Sequence, residues 1–198
     1  MRWLTFAIAA FVLLALDVGV RNLLALPVDF PGPLAGRTPS LLLVLGAFIA
    51  LWGPVLRVYA ALVILGLLME MTTVSYTLAS PLQHEYIPAV GPFTLGLLAG
   101  GWVLVQFRRI LFREAMLTLA MMTLLMGLVR LLVGVALYML RGLPIIGGLP
   151  DHWSLTDALL GGMAEVVYSA LLALPLGWVL IQSRTLWGFG QAPAAFDE

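Results

Sequence analysis

Six long apolar stretches, separated by short polar or Pro- and Gly-rich links, make up most of the chain. Each run is continuously apolar, which is typical of membrane-spanning helices and unlike the short alternating strands of a β-barrel. The predicted spans cover residues 3–24, 39–52, 55–76, 91–113, 114–140 and 155–181. We therefore expect an all-α integral membrane protein with six transmembrane helices. Residues 1–189 would form one domain, and 190–198 a disordered cytoplasmic tail.

The fourth stretch predicts the topology of the others, because Arg108, Arg109 and Arg113 follow its apolar part directly. Such basic clusters stay on the cytoplasmic side of the membrane. Six crossings would then leave both termini inside. The same stretch contains Gly96 and Gly100, at the small-residue spacing that lets two membrane helices approach closely.

An alternative topology joins the second and third spans into one bent helix and places the N-terminus outside. Counting arginines does not distinguish the two arrangements. A helix over residues 40–76 would be roughly 55 Å long, well beyond the bilayer core of about 30 Å. It would also bury Arg57 beside Pro54. We therefore favour two separate spans.

The composition agrees with a membrane protein and excludes several other classes. The chain is 62% hydrophobic and 10% charged, with a mean hydropathy of +1.07, whereas soluble domains carry about 25% charged residues. Its formal net charge is zero, so no basic excess indicates a nucleic-acid partner. The absence of cysteine excludes disulfides, thiol catalysis and Cys-ligated metals.

Ionisable residues inside the apolar spans are the strongest sign of a specialised site, because a charge in the bilayer core costs about 2.5–3.5 kcal/mol even on low estimates. Asp17, Arg130 and Glu165 lie at a similar depth, near the middle of their spans. We expect an ion pair between Arg130 and Glu165, with Asp17 close enough to join it. The pair could serve only to fix helix register, or it could form part of a partner or substrate pocket.

The other polar candidates each have two interpretations. Glu70 lies near the outer end of the third span, where a solvated helix end is favoured over a polar rim around an outward-facing cavity. Arg108, Arg109 and Arg113 could contact anionic lipid or a cytoplasmic partner. His84 and His152 lie in separate links and are weak evidence for a metal. No catalytic motif appears, so we expect a non-enzyme without cofactor or metal.

Several segments occur in an order that resembles the MreD family, the rod shape-determining membrane proteins of bacteria. The resemblance extends from about Pro39 to Arg184. It includes an acidic residue near the end of the third span, Glu70, and a glycine at the turn into the fourth, Gly91. The segments that carry it are PSLLLVLGAFIALWGP, GLLMEM, GPFTLGLLAGGWV, RRILFRE and PLGWVL.

The resemblance implies a non-enzymatic inner-membrane component of the cell-elongation machinery. Members of this family are similar in fold to the substrate-binding subunits of energy-coupling-factor transporters. They bind MreC, a single-span protein, and act with MreB, RodA and the elongation transpeptidase in peptidoglycan synthesis. The alternative is a small-molecule or vitamin transporter subunit with an intramembrane cavity, and a homodimer is a further possibility.

Overall fold

The structure, a computed structural model, describes residues 2–19, 21–25, 37–79, 91–108, 116–141 and 154–188. Apart from a single helical turn, α2 (Arg21–Leu24), its regular elements are six longer helices and a final 3-10 turn, with no strand among the described residues. The helices are α1 (Trp3–Gly19), α3 (Leu41–Trp52), α4 (Val55–Ala79), α5 (Pro92–Phe107), α6 (Met116–Arg141) and α7 (Leu155–Gln182). The prediction of an all-helical chain is thus confirmed for the described part.

Three of the helices are long and apolar enough to cross a membrane. The qualifying segments are Val55–Thr72, Met116–Leu140 and Leu155–Thr185. The apolar helices α1, α3 and α5 are shorter, with 17, 12 and 16 residues. The predicted tail, 190–198, lies outside the described residues.

The second and third predicted spans are separate helices, as the length argument requires. Helix α3 ends at Trp52 and α4 begins at Val55. Gly53 has an extended backbone, with φ −79° and ψ 154°, and Pro54 has no amide hydrogen to continue the α3 ladder. The single bent helix over residues 40–76 is therefore not formed.

Helix α3 is the centre of the bundle. Every residue from Leu41 to Leu51 is buried, and the helix contacts α1, α4, α5, α6 and α7. Because neighbours surround it, α3 has no polar face. At about 1.5 Å per residue its 12 residues measure about 18 Å, so α3 fills only part of the depth of the bundle.

Small residues allow the outer helices to pack closely. A Cβ at Gly96 would lie 3.0 Å from the Cα of Arg130, and one at Gly100 would lie 2.9 Å from Cγ of Met126. Both predicted packing glycines of α5 therefore face α6, in the interior of the chain. A homodimer would have to use another surface.

The outside of the bundle is apolar. The exposed fractions of Leu4, Phe11, Leu56 and Leu117 are 75%, 71%, 85% and 64%, while Arg130 and Glu70 are buried. Large exposed apolar areas mark membrane or protein contact. An apolar outer surface with buried polar groups such as these is consistent with an all-α membrane protein.

Candidate functional site

The predicted ion pair between α6 and α7 is present. Arg130 Nη2 donates to Glu165 Oε1 at 2.6 Å, and the two side chains are 6% and 23% exposed. The ring of Phe93 lies beside the guanidinium, with 5.2 Å from Cζ to the ring centroid. A charge-assisted hydrogen bond of this length is a strong one, so it holds α6 and α7 in register.

The N-terminus of α3 lies next to this ion pair, and its amide groups donate hydrogen bonds to the side chains of Ser40, Ser169 and Asp17. The amide of Ser40 donates to Ser169 Oγ at 2.8 Å, and Ser169 Oγ in turn donates to the carbonyl of Glu165 at 2.7 Å. Ser40 Oγ accepts from the amide of Leu43 at 3.3 Å. These bonds show that α3 begins beside the middle of α7, where side chains cap its first amides.

Asp17 also lies at this helix end. Its Oδ1 accepts from the amide of Leu41 at 3.5 Å, and it lines the same cavity as Arg130 and Glu165. The three residues predicted to lie near one another therefore line one cavity. A carboxylate near a helix N-terminus is favoured by the partial positive charge there.

Glu70 is not at a solvated helix end, so the favoured interpretation of this residue is wrong. It is 4% exposed, and its Oε1 accepts from both N and Oγ1 of Thr94, at 3.0 and 3.1 Å. The alternative of a cavity rim is not supported either, since Glu70 does not line the two cavities described below. Glu70 instead caps the start of α5, because α4 and α5 approach closely at Gly66 and Thr94.

Two cavities adjoin the ion pair. Their volumes are about 390 and 230 Å³, and four residues line both of them: Arg37, Phe93, Arg130 and Glu165. Each cavity adjoins the start of a short helix: Pro92 and Phe93 of α5 line the larger one, and Pro39 and Ser40 before α3 line the smaller one. The volume of the larger cavity is within the range of small-molecule sites, about 300–1,000 Å³.

The larger cavity has a polar end and an apolar wall. Along α6 it is lined by Arg130, Gly134 and Tyr138, which are spaced four residues apart and therefore share one face. Its apolar lining also includes Leu131 and Val135. At about 1.5 Å per residue, this face extends about 12 Å from Arg130 to Tyr138.

The arginine of the ion pair keeps unused hydrogen-bond donors. Arg130 Nε and Nη1 are buried and have no partner among the described residues. Glu165 occupies only Nη2. Buried donors without partners cost about 1–3 kcal/mol each, so native proteins rarely leave them unsatisfied.

The predicted basic cluster is described only in part. Arg108 Nη1 donates to the carbonyl of Gly53 at 2.7 Å, so this residue caps the end of α3. Arg109 and Arg113 lie outside the described residues, and their contact with lipid or a partner stays a prediction. His84 and His152 also lie outside them.

The sequence analysis missed several residues of the site. Arg37 was not among the candidate residues, yet its guanidinium lies directly against Gly161 and it lines both cavities. Ser169 and Thr94 were missed as capping partners. One signal was available: a span of 12 to 14 residues must end inside the membrane, where polar side chains have to form hydrogen bonds with its terminal backbone groups.

Comparison of the chain with protein-family models, curated proteins and solved structures finds no match.

Proposed function

We propose that this chain is a non-enzymatic scaffold of the bacterial cell-elongation machinery, similar in role to MreD. It would cross the inner membrane six times with both termini in the cytoplasm. Its partner would be an MreC-like single-span protein, in a complex that supports lateral peptidoglycan synthesis with MreB, RodA and the elongation transpeptidase.

The observation that carries this proposal is that polar contacts between helices lie inside the bundle, whereas its outer surface is largely apolar. Inside, charged groups hold helices together, as Arg130 does with Glu165 and Arg108 with Gly53. Outside, the helices present apolar side chains sideways. A protein with little described structure beyond its helices has those lateral faces as its main contact surface.

Helix α1 offers the clearest free face. Its buried side chains are Phe6, Ala10 and Leu13, and its packing in the described chain is mainly against α3. Leu4 and Phe11 on the other side are exposed. A second apolar helix can pack on such a face, which is what a single-span partner would supply.

Photo-crosslinking in the native cell tests the proposal. A photoreactive amino acid is placed at Phe11, Leu132 or Leu171, which are 71%, 63% and 59% exposed, and at Leu45, which is fully buried, as the control. We expect an adduct with an MreC-like protein from at least one exposed position and none from Leu45. Depletion of the chain should also convert rods into round cells. No adduct from any face, together with unchanged cell shape, would reject the proposal.

A further inference from the structure

The cavity beside Arg130 has the features of a built binding site. Arg130 is 5% exposed, it lines both cavities, and its Nε and Nη1 have no partner among the described residues. On a guanidinium these two nitrogens point in different directions. They therefore call for acceptor atoms that the described part of the chain does not supply.

Two arginines and a helix N-terminus at these cavities favour an acceptor that is negative. Arg37 and Arg130 line both cavities, and the N-terminus of α3, which carries partial positive charge, opens on the smaller one through Thr38, Pro39 and Ser40. Of the three acids in the two linings, Glu165 is bonded to Arg130, Asp17 accepts from the amide of Leu41, and Asp157 is exposed in the first turn of α7. In membrane proteins, short helices that begin within the bilayer direct their N-termini at anionic groups of bound molecules.

The rest of the larger cavity suits an apolar body. Leu131, Val135 and Phe93 line it beyond the guanidinium. Gly134 leaves space there, because a Cβ at this position would meet no atom within 4 Å. Pockets of this kind, apolar with a few converging polar groups, are typical of small-molecule sites.

We propose that this cavity binds an amphipathic molecule that carries an oxyanion, either a carboxylate or a phosphate. The oxyanion accepts hydrogen bonds from Arg130, and the apolar part lies along α6 beside Gly134 and Val135. This proposal is independent of the scaffold role. Uptake of the ligand into cells would be needed before the chain could be called a transporter subunit.

The test uses three probes with the same ten-carbon chain: decanoate, decyl phosphate and decanol. The full chain is placed in nanodiscs of zwitterionic lipid, and its thermal unfolding midpoint is followed by tryptophan fluorescence as each probe is added. A ligand that binds only the folded state raises the midpoint in a saturable way. Empty nanodiscs give the correction for partitioning into lipid.

Two phenylalanine variants of α6 provide a matched comparison. Gly134→Phe fills the cavity, whereas Leu132→Phe enlarges a side chain that is 63% exposed and does not line it. We expect decanoate, decyl phosphate or both to bind wild type and Leu132→Phe alike, and to bind Gly134→Phe at least tenfold more weakly. Decanol should bind wild type at least tenfold more weakly than the better anion.

The outcomes separate the elements of the proposal. Preference for decanoate identifies a carboxylate ligand, and preference for decyl phosphate identifies a phosphate. If decanol binds as tightly as the anions, Arg130 does not recognise an oxyanion. If inorganic phosphate or acetate binds as tightly as the ten-carbon anions, the apolar part of the ligand does not contribute to binding. No saturable shift with either anion would show that the cavity does not bind such a molecule, and equal shifts in Gly134→Phe would show that the anion binds elsewhere; either result overturns the proposal.

If Gly134→Phe does not fold, the double variant Arg130→Met, Glu165→Gln takes its place. It removes both partners of the ion pair together, so that neither charge is left alone, and it deletes the unused donors of Arg130. Loss of anion binding in this variant supports the proposal, and retention overturns it. Mass spectrometry of organic extracts from purified wild type then distinguishes a bilayer lipid from a soluble acid.

Discussion

Glu70 of α4 and Thr94 of α5 form a cap between two helices: one carboxylate oxygen accepts from both the amide and the hydroxyl of Thr94, at 3.0 and 3.1 Å. Asp17 of α1 takes a related position at the start of α3. Each acid thus lies at the positive end of a neighbouring helix. The carboxylates of Glu70 and Asp17 are therefore explained by helices that begin beside them and need acceptors.

Removing the cap on α5 should destabilise the protein. Glu70→Ala leaves two donors of Thr94 without their acceptor, and we expect a loss of about 1–2 kcal/mol, the range for hydrogen bonds between membrane helices in model peptides. Glu70→Gln keeps an acceptor oxygen and should lose less than half as much. Thr94→Val, which removes only the hydroxyl, is the matched control. Chemical unfolding in detergent measures the free energy of unfolding of the three variants. If Glu70→Ala unfolds with the same free energy as wild type, Glu70 does not cap α5.

Replacing one partner of the Arg130–Glu165 ion pair should destabilise the protein more than replacing both partners together. Arg130→Gln leaves the Glu165 carboxylate without its partner, and breaking a buried pair costs about 3–5 kcal/mol. We expect about 3 kcal/mol, because the Glu165 side chain is 23% exposed.

The double variant Arg130→Gln, Glu165→Gln is the control for this comparison. It should recover most of the stability that Arg130→Gln loses, since two neutral amides can bond to each other. Unfolding free energies of wild type, Arg130→Gln and the double variant provide the measurement. Equal stability of Arg130→Gln and wild type would show that the pair does not hold α6 and α7 together.

Close packing of α4 on α5 should make Gly66 intolerant of any side chain. A Cβ there would lie 2.5 Å from the Cα of Thr94, so Gly66→Ala must push the helices apart, at about 1–3 kcal/mol. Gly134→Ala is the control, because its Cβ meets nothing within 4 Å and alanine favours a helix by about 1 kcal/mol over glycine. The two unfolding midpoints should therefore move in opposite directions, and a shift in the same direction would argue against this packing.

Hydropathy predicted where the helices lie, but not which of them is central. Lipid and protein interior are both apolar, so the sequences of α1 and α3 look alike. Nevertheless α3 is wholly enclosed, while Leu4 and Phe11 of α1 are exposed. In a soluble protein, a polar face would have distinguished the two.

Charged residues allowed more of the contacts between helices to be predicted than apolar residues did, although not all of them. The shared position of Arg130 and Glu165 along their spans was enough to predict their pairing. Position along the span did not give the direction of Glu70 around α4, so its contact with Thr94 could not be predicted. Arg37 follows a stretch rich in Pro and Gly, where the sequence has no helical periodicity from which to predict the direction of a side chain.

The six-crossing topology is the claim on which the account rests, and the chain suits a direct measurement because it contains no cysteine. Single cysteines are introduced as Leu34→Cys, Leu111→Cys and His152→Cys and treated with a membrane-impermeant maleimide in intact cells. We predict labelling of the variants at 34 and 152, and labelling of the variant at 111 only after the inner membrane is opened. Labelling at 111 in intact cells, or protection at 34, would contradict six crossings.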